Sequence, residues 1–360
     1  MKYKKIIVKI GTSVLSKENV IDSALIENIS SQISALFAKN VEVILVTSGA
    51  IGAAMGLLGL KKRPESLSEL QAMAAVGQNE LMRLYSQAFE KNRHMVGQIL
   101  LTQEDFNDRR RYLNIKYTLD TLLSKKIIPI VNENDTVSTE EIKCGDNDRL
   151  SSLVADLSGA RALVILTDVD GFFDNDGKVI PLIEEVTNKM KKMAGSKSSN
   201  LTKGGMATKV EAACRVAHSG IDCYIANGRK SDIIKNVLEG KAICTYFKAK
   251  PVKENAKKRW IAYSSKVKGK IIVDDGAREA LIKRHKSLLA SGIVGKDGDF
   301  KAGEAITICD SKRKELARGL TNYSSKEIER IKGLKTSEIE KALGYKDYDE
   351  IVHRDNLVIL

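Results

Sequence analysis

Short, wholly apolar runs alternate with longer stretches in which apolar side chains return every third or fourth position over the first 250 residues. Lys4-Lys-Ile-Ile-Val-Lys-Ile10, Glu42-Val-Ile-Leu-Val-Thr47, Lys126-Ile-Ile-Pro-Ile-Val131 and Ala162-Leu-Val-Ile-Leu-Thr167 are of the first kind. Their length and β-branched content predict strands buried on both faces. Ile21, Leu25, Ile29, Ile33, Leu36 and Phe37 have helical spacing and predict a helix between the first two strands. Further helices are expected at about 67–90 and 109–125, flanking a strand at 94–101. Others are expected over 149–157 and from the Lys203-Gly-Gly turn to about 219, and short strands at 222–226 and 242–246. Strands alternating with helices make an α/β fold, with a mostly parallel sheet sandwiched by helices.

Near residues 248–258 the periodicity lapses into Pro251 and a run of Lys, Glu and Asn. This predicts a domain at 1–250, a linker at 251–267 and a second domain at 268–360. Elements are shorter there: strand-like segments at 269–274, 292–295 and 304–309, a helix at 276–284, and Gly298, Gly303 and Gly319 at turn spacing. The expectation is a small β-barrel-like domain with a charged helical extension at about 324–344.

The stretch from Val131 to Leu153 organises the chemistry. A buried strand ends in Asn132, Glu133, Asn134 and Asp135, and a helix begins near Asp146, Asn147 and Asp148. Open α/β sheets bind ligands at such strand ends. Asn and Asp also serve as turn formers and helix caps, which accounts for one or two of them but poorly for two dense clusters. Three other turns suit an anion: Gly11-Thr-Ser after Lys9, Ser48-Gly-Ala, and Lys203-Gly-Gly with Lys209 close behind. Together they point to a nucleoside triphosphate.

The chain carries 59 Lys and Arg against 46 Asp and Glu, a net charge of +13. The excess fits an anionic substrate or partner, and equally a solvated basic surface. Cys144, Cys214, Cys223, Cys244 and Cys309 form no C-x-x-C and are odd in number, the usage of a reduced compartment. The four histidines show no zinc spacing. No secretory segment and no apolar stretch of membrane-spanning length is present, so a cytoplasmic enzyme without membrane attachment is expected. There is no G-x-x-x-x-G-K-[ST] and no G-x-G-x-x-G after a strand. The calcium-like run from Asp168 fails because Phe172 falls at a ligand position.

Six motifs in order carry a resemblance: Lys9-Ile-Gly-Thr-Ser, Val46-Thr-Ser-Gly-Ala50, Asn132-Glu-Asn-Asp135, Gly145-Asp-Asn-Asp148, Leu166-Thr-Asp168 and Gly204-Gly-Met-Ala-Thr-Lys209. They resemble the glutamate 5-kinases, of the amino-acid kinase fold, and the tail from about Lys268 resembles a PUA domain. The resemblance implies transfer of phosphate from ATP to the γ-carboxylate of L-glutamate with Mg²⁺, in proline synthesis. It also implies proline as an inhibitor and a homo-oligomer. Carried over residue by residue, Ser48, Asp135 and Asn147 match glutamate-binding positions. Lys9, Thr167, Asp168 and the segment Lys203, Gly204, Gly205, Met206, Ala207, Thr208 and Lys209 match ATP-binding positions. Lys9 and Lys209 are expected to flank the transferred phosphoryl group, with Asp148 holding them; Asp146 or Asp168 would face the metal, or Asp146 would cap its helix. Lys203 departs from the family, where Thr is usual. An RNA-binding protein is the rival reading of the PUA-like tail, but Trp260, Tyr263 and Tyr323 are too scattered for a stacking platform.

Overall fold

A computed structural model of the chain describes residues 2–17, 20–137, 146–196, 205–251, 261 and 267–360. The chain divides into two units, Met1–Val252 and Lys253–Leu360, each with its own sheet.

The first unit runs β1 (Lys5–Ile10), α1 (Thr12–Leu15), β2 (Ser16–Lys17), β3 (Val20–Ile21), α2 (Ser23–Ala38), β4 (Glu42–Val46), α3 (Ala50–Leu57), α4 (Leu67–Glu90), β5 (Val96–Leu101), α5 (Arg109–Ser124), β6 (Ile128–Glu133), α6 (Asp146–Ser158), β7 (Ala162–Thr167), β8 (Leu182–Ile183), α7 (Asn188–Ser196), α8 (Met206–His218), β9 (Asp222–Asn227), α9 (Ile233–Leu238) and β10 (Cys244–Phe247). Eight strands form one sheet in the order β5-β6-β4-β1-β7-β9-β10-β8. All neighbours are parallel except β9 and β10. Every residue of β6 and β7 is buried, as expected for strands covered by helices on both faces. Pro129 sits inside β6 and lacks an N–H. The register of β6 with β4 accordingly takes in only Ile130 and Val131, just beyond it.

From β1 the chain moves outward through β4 and later returns to β7 on the other side of β1. This reversal is the switch point at which such sheets leave a crevice at their strand carboxyl ends. The predicted strands and long helices are present. β6 runs past the predicted end at Val131 to take in Asn132 and Glu133, and the described part of α6 already includes Asp146, ahead of the periodic stretch 149–157. The β2–β3 hairpin and β8 are too short to leave a periodic signal.

In the second unit β11 (Gly269–Val273), β12 (Ile293–Gly298), β13 (Ala305–Cys309), β14 (Glu315–Leu320) and β15 (Leu357–Ile359) form a sheet in the order β12-β11-β13-β14-β15. Only β11 and β13 are parallel. Ile328, Ile331 and Ile339, from the charged helical stretch, join Ile271, Ile306, Ile308 and Val352 in this unit's core. Gly319 is not a turn residue: it lies within β14, where a Cβ would come 2.5 Å from Val352 Cγ1.

Candidate active site

Lys9 is the fifth residue of β1 and is 3% exposed. A buried ammonium needs a counter-charge. Asp148, in the first turn of α6 and fully buried, supplies it: its Oδ1 lies 2.6 Å from Lys9 Nζ. Its Oδ2 lies 3.2 Å from Lys209 Nζ and accepts from Thr208 Oγ at 2.7 Å. Burial pushes the Asp148 carboxyl up, but the Lys9 and Lys209 charges outweigh it and hold the group below the ordinary carboxylate range. One carboxylate thus faces two ammonium groups. Gly11 lies beside them, where a Cβ would stand 3.4 Å from Lys9 Nζ.

A second cluster stands beside the first. Asn147, the neighbour of Asp148, donates through Nδ2 to Ser48 Oγ and to Asn132 Oδ1, both at 3.0 Å. Asn132 in turn donates to Gln78 Oε1 at 2.8 Å. Ser48 precedes Gly49, which caps α3 at a left-handed φ of 99°, a conformation glycine takes without strain. Thr47, just upstream, is fixed by a 2.8 Å hydrogen bond between its hydroxyl and that of buried Tyr85.

At the end of β7, Asp168 accepts from Thr167 Oγ1 at 3.0 Å and from Ser13 Oγ at 3.3 Å. Arg229, after β9, donates to the carbonyls of Ser13 and Ser16 and pairs with Asp22. It thereby braces α1 and the start of β2.

Comparison with known proteins matches two family models: the amino acid kinase family over residues 4–227 and the PUA domain over residues 269–343. A glutamate 5-kinase of Thermoanaerobacter sp. (strain X514) is 47% identical, covering 99% of this chain and 98% of its own. A glutamate 5-kinase of Geobacter sulfurreducens is 46% identical, covering 100% of this chain and 98% of its own. The chain belongs to the glutamate 5-kinase family. A solved carbamate kinase from Giardia lamblia bound to AMP-PNP aligns at a TM-score of 0.49 and 17% identity, over 69% of this chain and 99% of that one.

Within this glutamate 5-kinase scaffold the structure brings Lys9, Lys209 and Asp148 together, and Ser48 with Asn147. Thr167 and Asp168 close β7. Gly205 caps α8, and Met206, Ala207 and Thr208 make its first turn. Asp135 stands half-buried in the turn after β6. Lys203 and Gly204, and the side chain of Asp146, lie outside the described residues. Gln78 and Thr208's role toward Asp148 escaped the sequence reading. Gln78 did leave a signal: it is a polar residue on the stripe Ala74, Gly77, Leu81 and Tyr85 that α4 buries. Among the described residues no helix is long and apolar enough to cross a membrane.

Proposed function

We propose that this chain transfers the γ-phosphoryl group of ATP to the γ-carboxylate of L-glutamate, giving γ-glutamyl phosphate and ADP. The observation that carries the reading is the pair of lysines on one buried aspartate, set next to an amide cluster at the carboxyl edge of the sheet. The acceptor carboxylate has an ordinary pKa of ~4.3 and is already ionised at neutral pH. No proton has to move. A carboxylate oxygen attacks the γ-phosphorus as the bond to the β,γ-bridging oxygen breaks, and ADP leaves. What the protein must supply is alignment of two anions and stabilisation of charge on the transferring group. Lys9 and Lys209 carry one positive charge more than Asp148 cancels, and each ammonium has three N–H groups to offer. Asp148 is held ionised, so its task is to position the lysines, not to take a proton.

Glutamate binds by its other end. Both Nδ2 hydrogens of Asn147 are engaged, while Oδ1 is buried with no hydrogen-bond partner among the described residues. An acceptor left in that state suits the α-ammonium, with Asp135 as a second acceptor. The Ser48 hydroxyl and the N–H groups opening α3 suit the α-carboxylate. Proline carries the same two groups and fits this end as an inhibitor. The nucleotide lies along Thr167, Asp168 and α8's first turn, with Lys203 and Gly204 assigned to it by the same reading. Mg²⁺ takes one or two carboxylates and otherwise water and phosphate. Asp168, exposed and bonded to hydroxyls, fits that demand, whereas among the described residues no three His, Cys, Asp or Glu stand together. Once bound, the ion would offset charge on the phosphate oxygens.

Acyl phosphates react with hydroxylamine to give hydroxamates. With ATP, Mg²⁺ and hydroxylamine, L-glutamate is expected to yield hydroxamate, and L-aspartate, N-acetyl-L-glutamate and carbamate to yield none. Product from one of those acids and none from glutamate would overturn the reading.

A further inference from the structure

We infer that Gln78, which none of the motifs contains, is a positioning residue for glutamate, acting through Asn132 on Asn147; the inference rests on the glutamate reading above. Gln78 is 9% exposed, on a helix face that is otherwise apolar. Its depth is set by its neighbour. A Cβ on Gly77 would lie 1.7 Å from the Ala50 carbonyl oxygen and 2.6 Å from Ala54 N. The backbone of α4 therefore rests directly on the first turn of α3, two residues beyond Ser48.

The direction of the hydrogen bonds is not arbitrary. The backbone N–H of Glu133 donates to Asn132 Oδ1 at 2.9 Å, and a backbone N–H can only donate. That anchors the Asn132 oxygen. Its amide nitrogen must then face Gln78, which meets it with Oε1. The anchored oxygen also takes one hydrogen of Asn147 Nδ2, and Ser48 Oγ takes the other. The backbone of β6 thus decides that Asn147 presents its oxygen to the substrate. Gln78 decides whether Asn132 holds still, because the terminal torsion of an Asn side chain is broad unless both ends are bonded. The other half of the Gln78 amide, Nε2, is buried with no partner among the described residues. A residue that only filled the core would avoid that cost by being apolar.

The full chain tests this with two substitutions. Gln78→Met keeps length and apolar volume but removes the acceptor. Gln78→Glu keeps the acceptor and adds a charge. The hydroxamate assay gives kcat and both KM values, and thermal unfolding reports folding. Gln78→Met is expected to raise the glutamate KM about tenfold while kcat and the ATP KM stay within about twofold. Gln78→Glu is expected to recover most of the loss. A core-filling role predicts the opposite order, with Met near wild type and Glu worse, and that order would overturn the inference. So would equal losses in both KM values. If Gln78→Glu does not fold, Asn147→Ala decides: in that background Gln78→Met should add nothing to the glutamate KM, and additive effects would count against the relay. A wild-type chain that makes no glutamyl hydroxamate sinks the functional reading. One that does, with Gln78→Met neutral, sinks only this inference.

Discussion

Asp148 and Asp222 are buried at opposite ends of the first unit's sheet, and the two are satisfied in opposite ways. Asp148, beyond the carboxyl ends of the strands, is met by two ammonium groups and a threonine hydroxyl. Asp222, the first residue of β9 at the amino end, is met mainly by neutral donors. Tyr3 and Tyr246 donate their hydroxyls to it at 2.5 and 2.7 Å and the Ala249 backbone N–H at 3.0 Å; Lys2, largely exposed, closes the set at 2.9 Å. Tyr224 stacks on Tyr246 with ring centres 4.8 Å apart, and its hydroxyl lies 2.6 Å from that of Tyr3. Around Asp222 the donors match the acceptor, so the cluster fastens the start of the chain and the segment after β10 to the sheet. Around Asp148 the donors exceed it. Surplus positive charge in a buried place stabilises nothing by itself, and it sits at the edge where sheets of this kind bind ligands.

Removing the surplus should produce the largest effect. Lys9→Ala and Lys209→Ala are each expected to lower kcat by a factor of roughly a hundred to a thousand, equivalent to ~3–4 kcal/mol of lost transition-state stabilisation. Glutamate KM should move far less, because the proposed glutamate end is Ser48 and Asn147 rather than either lysine. Steady-state kinetics with both substrates varied would check this. A near-normal kcat in either variant removes that lysine from the chemistry and makes the two ends of the sheet alike.

At the opposite end the loss should appear in stability alone. Asp222→Asn exchanges an acceptor-only group for one that also donates, facing two phenols and a backbone N–H that all seek acceptors. Leaving buried donors without partners costs about 3 kcal/mol, or roughly 6–12 °C of Tm for a unit of this size. Calorimetry on the variant, with kcat and KM measured below its transition, is the check. A fall in kcat per folded molecule would mean that the amino end communicates with the chemistry after all.

Sequence reading reached one of these ends and missed the other. The carboxyl end was legible because its residues sit in local motifs: Lys9 before Gly11, Asn147 beside Asp148, and Lys209 four residues after Gly205. Their convergence follows from parallel strands that all end on one edge. The Asp222 cluster joins residues more than two hundred positions apart, and each of its members looks like an ordinary strand residue. Gln78 left only its polarity on α4's buried stripe as a signal, since its partner Asn132 lies 54 positions away. In the second unit, β14 holds Arg318 and Gly319 in a six-residue strand. It was missed because close packing against Val352, not strand propensity, makes glycine fit there.

The smallest effect expected is also the one that separates the two aspartates by charge. At Asp222, burial raises the carboxyl, but hydrogen bonds from Tyr3, Tyr246 and Lys2 outweigh it and hold the group below its ordinary value. Unfolded, the same group titrates near ~3.9. A carboxyl held low in the fold stabilises it fully at pH above that value, and the contribution is lost as pH falls through the folded pKa. The amide of the Asp222→Asn variant has no such titration. The Tm gap between wild type and variant should therefore be widest above about pH 5 and narrow as pH falls below ~4. Asp148 is held low in the same sense, so wild type and variant should both keep an acid loss from that end, where protonation leaves two neighbouring ammonium groups without their counter-charge. A Tm gap that widens as pH falls from neutral toward about pH 4 would mean that Asp222 is protonated in the fold. Its phenol partners would then be sharing a proton with it, and the contrast between a neutral and an ionic end would rest on the wrong chemistry.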